Sequence, residues 1–596
     1  MKQTIASFLQ HQATRKADQV AMTTPGRLDL SYRRLWQQME YVVKRLNAMR
    51  LGRNDRVAIV LPNGPEMATT FVAVAAGATA APLNPNYRQS EFEFYLSDLK
   101  ARAVIVLSGT DSPVKVVADA RSIPVIELSL DSEAEAGTFT LAAEQARLSD
   151  GEHSGLFQTG FAEEDDVALV LHTSGTTSRP KIVPLTQRNL CNSTANHTAA
   201  LELTEQDICL NMMPLFHIHG LISAVLSSLT SGASVICTPG FDAPRFFEWV
   251  KTFCPTWFTA APALYHALLE YASNNREVLG AHSLRFLRSA AAPMPKRILK
   301  EVEQLFNVPV IESYGMTEAA AQITSNPLPP RKRKPGSVGR ASGPQVAIMD
   351  EQGNILGPEK VGEIVIRGAS VMAGYENNTV ANASAFANGW FHTGDQGFMD
   401  QDGYLFITGR IKDIINRGGE KIAPREVDEV LSDHPGVADV VTFAIPHARL
   451  GQDIVAAVVL RENASACERE LRDFVSAQLS QHKVPSRVLI VDEISKGSTG
   501  KVQRGRLAEE LETKLKGQYS PARNPIEKTT AQIWAEVLGV TQVGSHDNFF
   551  TLGGDSLSAT RVVARLQSAF QLDLPVRVLF DYPTVAELSQ MISERT

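Results

Sequence analysis

LHTSGTTSRPK, residues 171–181, is an apolar run that breaks into a turn of small hydroxylated residues and closes on a lysine. In such a turn backbone N–H groups converge on an anion, hydroxyls add donors, and the ammonium balances phosphate charge. Thr173, Ser174, Gly175, Thr176, Thr177 and Lys181 are therefore candidate phosphate ligands. The spacing differs from the Walker loop, which needs G-x-x-x-x-G-K-[ST]. Standing alone, the segment reads more readily as a Ser/Thr-rich surface turn.

The run that feeds the turn is one of a series. VAIVLP (57–62), AVIVLS (103–108), VALVLHT (167–173), SVICTP (234–239) and VPVIES (308–313) alternate with helical stretches, which predicts parallel sheets covered by helices. From GYLFITG (403–409) the elements shorten, and VVTFAIP (440–446) and DIVAAVVL (453–460) predict a small α+β unit ending near Leu511. KLKGQYSPARNPIEK (514–528) has no apolar periodicity and reads as a linker. IWAEVLGV, SATRVVARLQSAF and VAELSQMI then predict a helical bundle. The fold class is multidomain α/β, with a core over 1–408, a mobile α+β lid over 409–513, a linker over 514–526 and a bundle over 527–596.

Composition agrees with several packed units. At roughly 150 residues per domain, 596 residues make about four, and 44% apolar with 21% charged residues excludes disorder or coiled coil for the whole. A net charge of −7 gives no basic excess for a nucleic acid. The basic run Arg331–Lys334 is expected to be a solvated, proline-framed loop. The five cysteines never form C-x-x-C, so neither a zinc site nor a disulfide framework is written. The longest apolar run, Phe71 to Leu83, contains Gly77 and is too short for about 30 Å of hydrocarbon; a buried helix leading into a core strand is expected. With no signal-peptide-like start, a cytoplasmic protein without a membrane partner is expected.

Further motifs follow in order. ESYGMTEAA (312–320) brings together Tyr314, Thr317 and Glu318: an aromatic face for a base, a hydroxyl for phosphate, a carboxylate for a hard cation such as Mg²⁺. WFHTGDQG (390–397) sets Asp395 between glycines, where it can accept from ribose hydroxyls. GRIKDIINRGGEKIAPREV (409–427) carries Arg410, Lys412, Gly418 and Gly419, and KGSTGKVQR (496–504) isolates Lys501. His217 and His219 of FHIHG, read as i, i+2 on a strand, have no second ligand pair for a metal.

In this order and at these intervals the segments resemble the adenylate-forming superfamily of acyl- and aryl-CoA ligases, luciferases and nonribosomal peptide synthetase adenylation domains, over about residues 10–511. PLFHIHGL (214–221), SNPLP (325–329) and GRIKDIINRGGEKIAP (409–424) look closest to the 4-coumarate-CoA ligase and oxalyl-CoA synthetase branch. The resemblance implies roles. Thr173 to Lys181 hold the ATP phosphates, Ala291 and Tyr314 flank the nucleotide, Thr317 touches the α-phosphate, Glu318 ligates Mg²⁺, and Asp395 and Arg410 fix the ribose. Lys501 bridges substrate carboxylate and α-phosphate, Lys412 is a hinge, Gly418 and Gly419 line the thiol tunnel, and His217, Ala292 and Ala321 line the acyl pocket. Two residues depart from many relatives, Ser178 and Ile182 standing where those have Gly.

DNFFTLGGDSLSATRVVARL (547–566) resembles the attachment motif of peptidyl carrier proteins, with 4′-phosphopantetheine on Ser556. The expected enzyme is therefore an adenylation and carrier didomain. It activates a small carboxylic acid as acyl-AMP, passes it to its own carrier, and delivers it in trans to a downstream acyl-accepting enzyme; a phosphopantetheinyl transferase is a required partner. Amino-acid-activating members of the superfamily place an aspartate in the segment matching PLFHIHGL to pair the α-ammonium, and none stands here, so the resemblance implies an acid without an α-amino group. SAAAPM (289–294) and EAAAQI (318–323) are alanine-rich, which favours an apolar acid over one with a second carboxylate. Two alternatives stay open: a CoA ligase using free CoA with an accessory carrier, and a non-catalytic scaffold presenting the carrier.

Overall fold

A computed structural model describes residues 2–143, 158–173, 180–272, 279–447, 450–495, 502, 504–511, 520–540, 542–550, 552, 554, 556–575 and 577–595. The chain forms two compact units, dividing between Ile407 and Thr408.

The first unit is built on two large sheets with parallel interiors and antiparallel edges. In one, Ala103–Leu107, Arg56–Val60, Thr79–Pro82 and Val167–His172 run parallel, and Ile182–Thr186 closes the edge antiparallel to Val167–His172. In the other, Val310–Met316, Phe286–Ser289, Trp257–Ala260, Ile208–Asn211, Ser234–Cys237 and Val20–Thr23 are parallel neighbours, and Ala321–Ser325 folds back antiparallel on Val310–Met316. The β-branched runs become strands because strands buried on both faces need continuous apolar sequence. The run from Phe71 behaves as expected: helix Pro65–Gly77 is buried on every side, its apolar residues share a core with both sheets, and it leads into the strand Thr79–Pro82. A helix apolar all round has no face to offer water. No helix among the described residues is long and apolar enough to cross a membrane.

The basic run departs from the reading as a solvated loop. Arg331 pairs with Glu202, Arg333 with Glu303, and Lys334 with Asp400 and Asp402. Lys334 also lies 4.6 Å from the Tyr404 ring centroid, so three of the four charges tie neighbouring segments together.

In the second unit, Gly451–Leu460 pairs with Val437–His447, Ile415–Arg417 and Arg487–Ile490, and helices Pro424–Ser432 and Glu468–Ser476 supply its apolar cover. Farther along, helices Pro525–Leu538, Ser556–Phe570, Val578–Asp581 and Val585–Ser593 form a bundle around Trp534, Phe549, Leu566 and Leu588.

Candidate active site

The turn after Val167–His172 returns as the antiparallel strand Ile182–Thr186, so its two ends meet. Thr173 N–H donates to the Lys181 carbonyl at 3.0 Å, and Lys181 N–H donates to Thr173 Oγ1 at 3.3 Å. Ser174, Gly175, Thr176 and Thr177 lie outside the described residues, as does Ser178. Lys181 Nζ stands 4.5 Å from the ring centroid of Tyr375.

Tyr375 reaches a second expected site residue. Its hydroxyl donates to Glu318 Oε1 at 2.9 Å, and burial together with the Glu318 charge raises its pKa, keeping it a donor. Glu318 belongs to the 3₁₀ turn Thr317–Ala319 that follows Val310–Met316, and the Glu318 carbonyl accepts from Met372 N–H at 2.8 Å. One tyrosine thus links the lysine of the phosphate turn to the candidate Mg²⁺ carboxylate. No cluster of three or more His, Cys, Asp or Glu gathers among the described residues. A buried carboxylate plus phosphate oxygens nevertheless fits Mg²⁺, which keeps few protein ligands.

The same end of the strand Val310–Met316 carries the expected nucleoside side. Tyr314 Oη donates to Asp395 Oδ2 at 2.6 Å, joining the expected adenine and ribose residues. Close backbone contact fixes this geometry, because a Cβ on Gly315 would come within 1.5 Å of the Ala321 carbonyl oxygen. Ala291, Ala320 and Ala321 all adopt positive φ (74°, 51° and 96°), a conformation costly for L-residues and concentrated at functional sites.

The histidines depart from expectation. His217 and His219 do not share a strand: His217 sits in a turn, and His219 opens the π-helix His219–Leu226. Burial pushes the His217 pKa down to about 4 and that of His219 well below its usual value, so both are neutral. His219 Nε2 lies 2.6 Å from Thr259 Oγ1.

Sequence reasoning missed Tyr375 and Arg288. Tyr375 lies in GYENN, a stretch without periodicity. Arg288 lies at the third position of the strand Phe286–Ser289, only 2% exposed, where a charge in LRFLRS reads as a solvent-facing position.

Arg410, Lys412, Gly418, Gly419 and Ser556 belong to the second unit. Arg410 ends the strand Leu405–Arg410, and Lys412 lies in the 3₁₀ turn Ile411–Asp413. Gly418 and Gly419, with φ of 61° and 99°, form the two-residue hairpin loop between Ile415–Arg417 and Glu420–Ile422, a loop type that demands positive φ at both positions. Lys501 lies outside the described residues, as do Gly553 and Asp555. Ser556 opens the helix Ser556–Phe570, and Leu557 beside it is 74% exposed. A Cβ on Gly554 would approach the Phe549 ring to 2.3 Å, so Gly554 packs closely on the bundle core.

Comparison with known proteins agrees with these features. The family described as AMP-binding enzyme matches residues 9–376, its C-terminal domain matches 426–501, and the phosphopantetheine attachment site family matches 528–592. Similar curated proteins include an oxalate–CoA ligase of Arabidopsis thaliana, 41% identical over 85% of this chain and 98% of that protein. An oxalate–CoA ligase of Saccharomyces cerevisiae is 39% identical over 77% of this chain and 87% of its own. Among solved structures, ATP-bound MatB from Rhodopseudomonas palustris superposes with a TM-score of 0.77 at 28% identity, covering 86% of this chain and 99% of that one.

Proposed function

This chain belongs to the AMP-binding enzyme family, as an AMP-forming acid–thiol ligase joined to a phosphopantetheine attachment domain, and from that premise we propose that it loads a non-amino carboxylic acid onto its own Ser556 arm for delivery in trans. The observation that carries the site assignment is the Lys181–Tyr375–Glu318 link, which sets an ammonium over one aromatic ring and a carboxylate at its hydroxyl.

In the first step a carboxylate oxygen of the acid attacks the α-phosphorus of ATP, the bond to the bridging oxygen breaks, and pyrophosphate leaves. Lys181 and Thr173, with the hydroxyls between them, hold the departing phosphates; Thr317 donates to the α-phosphate; Tyr314 and Asp395 orient the nucleoside with Arg410. Mg²⁺, when bound beside Glu318, neutralises phosphate charge. Lys501 acts on the charge that gathers where carboxylate and α-phosphate meet, an interaction strongest in the transition state.

In the second step a thiol attacks the carbonyl carbon and AMP departs. The pantetheine arm on the Ser556 hydroxyl supplies that thiol. The ammonium that serves the first step occupies the path the thiol needs in the second, so we assign Lys412 as the hinge that withdraws Lys501, with Gly418 and Gly419 leaving room for a narrow arm. Domain limits of 1–408, 409–513 and 527–596 belong to this proposal.

Oxalate is what the names of two relatives carry. For this chain the class is an acid without an α-ammonium: no aspartate stands in PLFHIHGL, and His217 and His219 are neutral.

ATP–pyrophosphate exchange over a panel of acids tests the reading. Lys501→Ala is expected to cut exchange by about a hundredfold or more while ATP still binds, since it removes a preorganised charge. Exchange within a few-fold of wild type, or an α-amino acid equalling the best simple acid, contradicts it.

A further inference from the structure

The second unit holds both the α+β region and the carrier bundle, and the two touch at His447. His447 ends the strand Val437–His447, and its ring stands between two backbone groups. Leu450 N–H donates to His447 Nδ1 at 3.1 Å, which leaves Nε2 as the ring's donor, and Nε2 lies 3.3 Å from the Phe550 carbonyl oxygen of the bundle. Each partner leads to a residue with an expected part in acyl transfer. Phe550 belongs to NFFTLGGDS, the segment that runs to Ser556. The Leu450 carbonyl accepts from Gly418 N–H at 2.9 Å, and a Cβ on Gly418 would come 3.0 Å from Leu450 Cδ2. One imidazole thus ties the segment before the attachment serine to the Gly418–Gly419 hairpin.

The rest of this contact is of a kind that parts readily. Arg469, on helix Glu468–Ser476, lies over the Tyr582 ring of the bundle, 5.4 Å from its centroid. The two regions also border a polar cavity of about 690 Å³, lined by Glu468 and Arg487 on one side and Arg523, Glu527 and Glu587 on the other. These charges find partners within their own regions: Glu468 pairs with Arg487 at 3.3 Å, Arg523 with Glu527 at 3.0 Å, and Glu587 accepts from Thr584 Oγ1 at 2.8 Å. Separation therefore orphans none of these five, whereas permanent interfaces are larger and more apolar. Ser545 N–H donates to the Ser520 carbonyl at 2.7 Å, so the bundle already holds the chain from Ser520, and the connection back to Leu511 is short. A short tether gives an effective concentration on the order of millimolar, enough for a weak seat to order an attached arm.

We propose that His447, with Arg469, is the seat on the lid for the chain's own carrier: it grips the segment leading to Ser556 and, through Leu450, registers that segment against the Gly418–Gly419 hairpin. This rests on the proposed loading of Ser556 and adds the contact that favours the attached arm over a free thiol. His447 is a positioning residue, acting through Phe550 and Leu450. The polar, reversible character of the seat leaves the loaded carrier free to leave for a downstream enzyme.

The test compares wild type, His447→Ala and His447→Gln as full chains, given ATP, Mg²⁺ and the acid that best supports exchange. Three rates are read: pyrophosphate exchange, single-turnover acylation of the arm on Ser556 by intact mass, and acyl transfer to free pantetheine by the chain without its arm. His447→Ala is expected to slow acylation of the arm about tenfold, the worth of one hydrogen bond, and to keep the other two rates within about twofold of wild type. His447→Gln, whose amide donates to the same carbonyl, is expected to recover most of that loss. Acylation of the arm at or above the wild-type rate in His447→Ala, or equal losses with both thiols, overturns the seat. Should His447→Ala fail to fold, Arg469→Met at an exposed position decides: a slowing of about threefold confined to the attached arm is expected, and no slowing overturns the seat. A wild-type chain that exchanges pyrophosphate and acylates pantetheine but never its own arm overturns the loading of Ser556 on which the seat rests.

Discussion

At the scale of single residues the site depends on a few contacts, and Tyr375 shows how. Its ring faces the Lys181 ammonium and its hydroxyl donates to Glu318 Oε1, which orients that carboxylate. Tyr375→Phe keeps the ring and removes the hydrogen bond. The Mg²⁺ concentration giving half-maximal exchange is expected to rise about tenfold, from losing a hydrogen bond to a charged group. Tyr375→Leu is expected to add a rise in KM for ATP as the contact with Lys181 is lost, worth about 0.5–2 kcal/mol. Superimposable Mg²⁺ curves for wild type and Tyr375→Phe contradict this bridging role. Tyr314, Thr317, Glu318 and Asp395 stand out as candidates in the sequence because each lies in a short segment whose residue types suit one ligand chemistry, and the fold brings Tyr314 to Asp395. Tyr375 and Arg288 do not, because a tyrosine in a loop and an arginine in a strand carry no local sign of which side chains the tertiary fold brings to them.

Among elements, the strands were the easiest to read and the π-helix the hardest. A short apolar run does not distinguish a buried strand from a buried helix: His217 and His219 read as i, i+2 on a strand, whereas His219 opens the π-helix His219–Leu226. Its packing against helix Gln187–Leu201 buries His197, whose Nδ1 lies 2.9 Å from the Ser193 carbonyl and whose Nε2 lies 3.0 Å from Ser223 Oγ. Burial, reinforced by the Arg288 charge, pushes the His197 pKa down to about 3. Unfolded, the same imidazole titrates near 6.5. Between these values the unfolded chain binds a proton the folded chain does not, so stability rises with pH there. The contribution of neutral burial is complete above about pH 6.5 and is lost progressively as pH falls toward 3. Thermal unfolding of the full chain is expected at lower temperature at pH 5 than at pH 7, with a smaller difference in His197→Gln. An equal pH dependence in both proteins contradicts the burial of a neutral His197.

For the molecule as a whole, the order of folded regions was legible because each has its own periodicity: strand–helix alternation, then a short α+β pattern, then helices alone. The attachment motif was legible because Gly554 and Ser556 stand at a loop-to-helix junction, a position the structure gives them. What the sequence did not yield was the burial of Arg288, since an arginine within a short strand run carries no local sign that the fold covers it. The central claim is that one chain both activates an acid and carries it. The direct measurement is the intact mass of the full chain after treatment with a phosphopantetheinyl transferase and CoA, and then with ATP, Mg²⁺ and the acid that best supports exchange. Wild type is expected to gain the arm and then the acyl group, whereas Ser556→Ala gains neither and keeps its pyrophosphate exchange. A wild-type chain that takes no arm, or that takes the arm while the acyl group appears only on free CoA, contradicts the account.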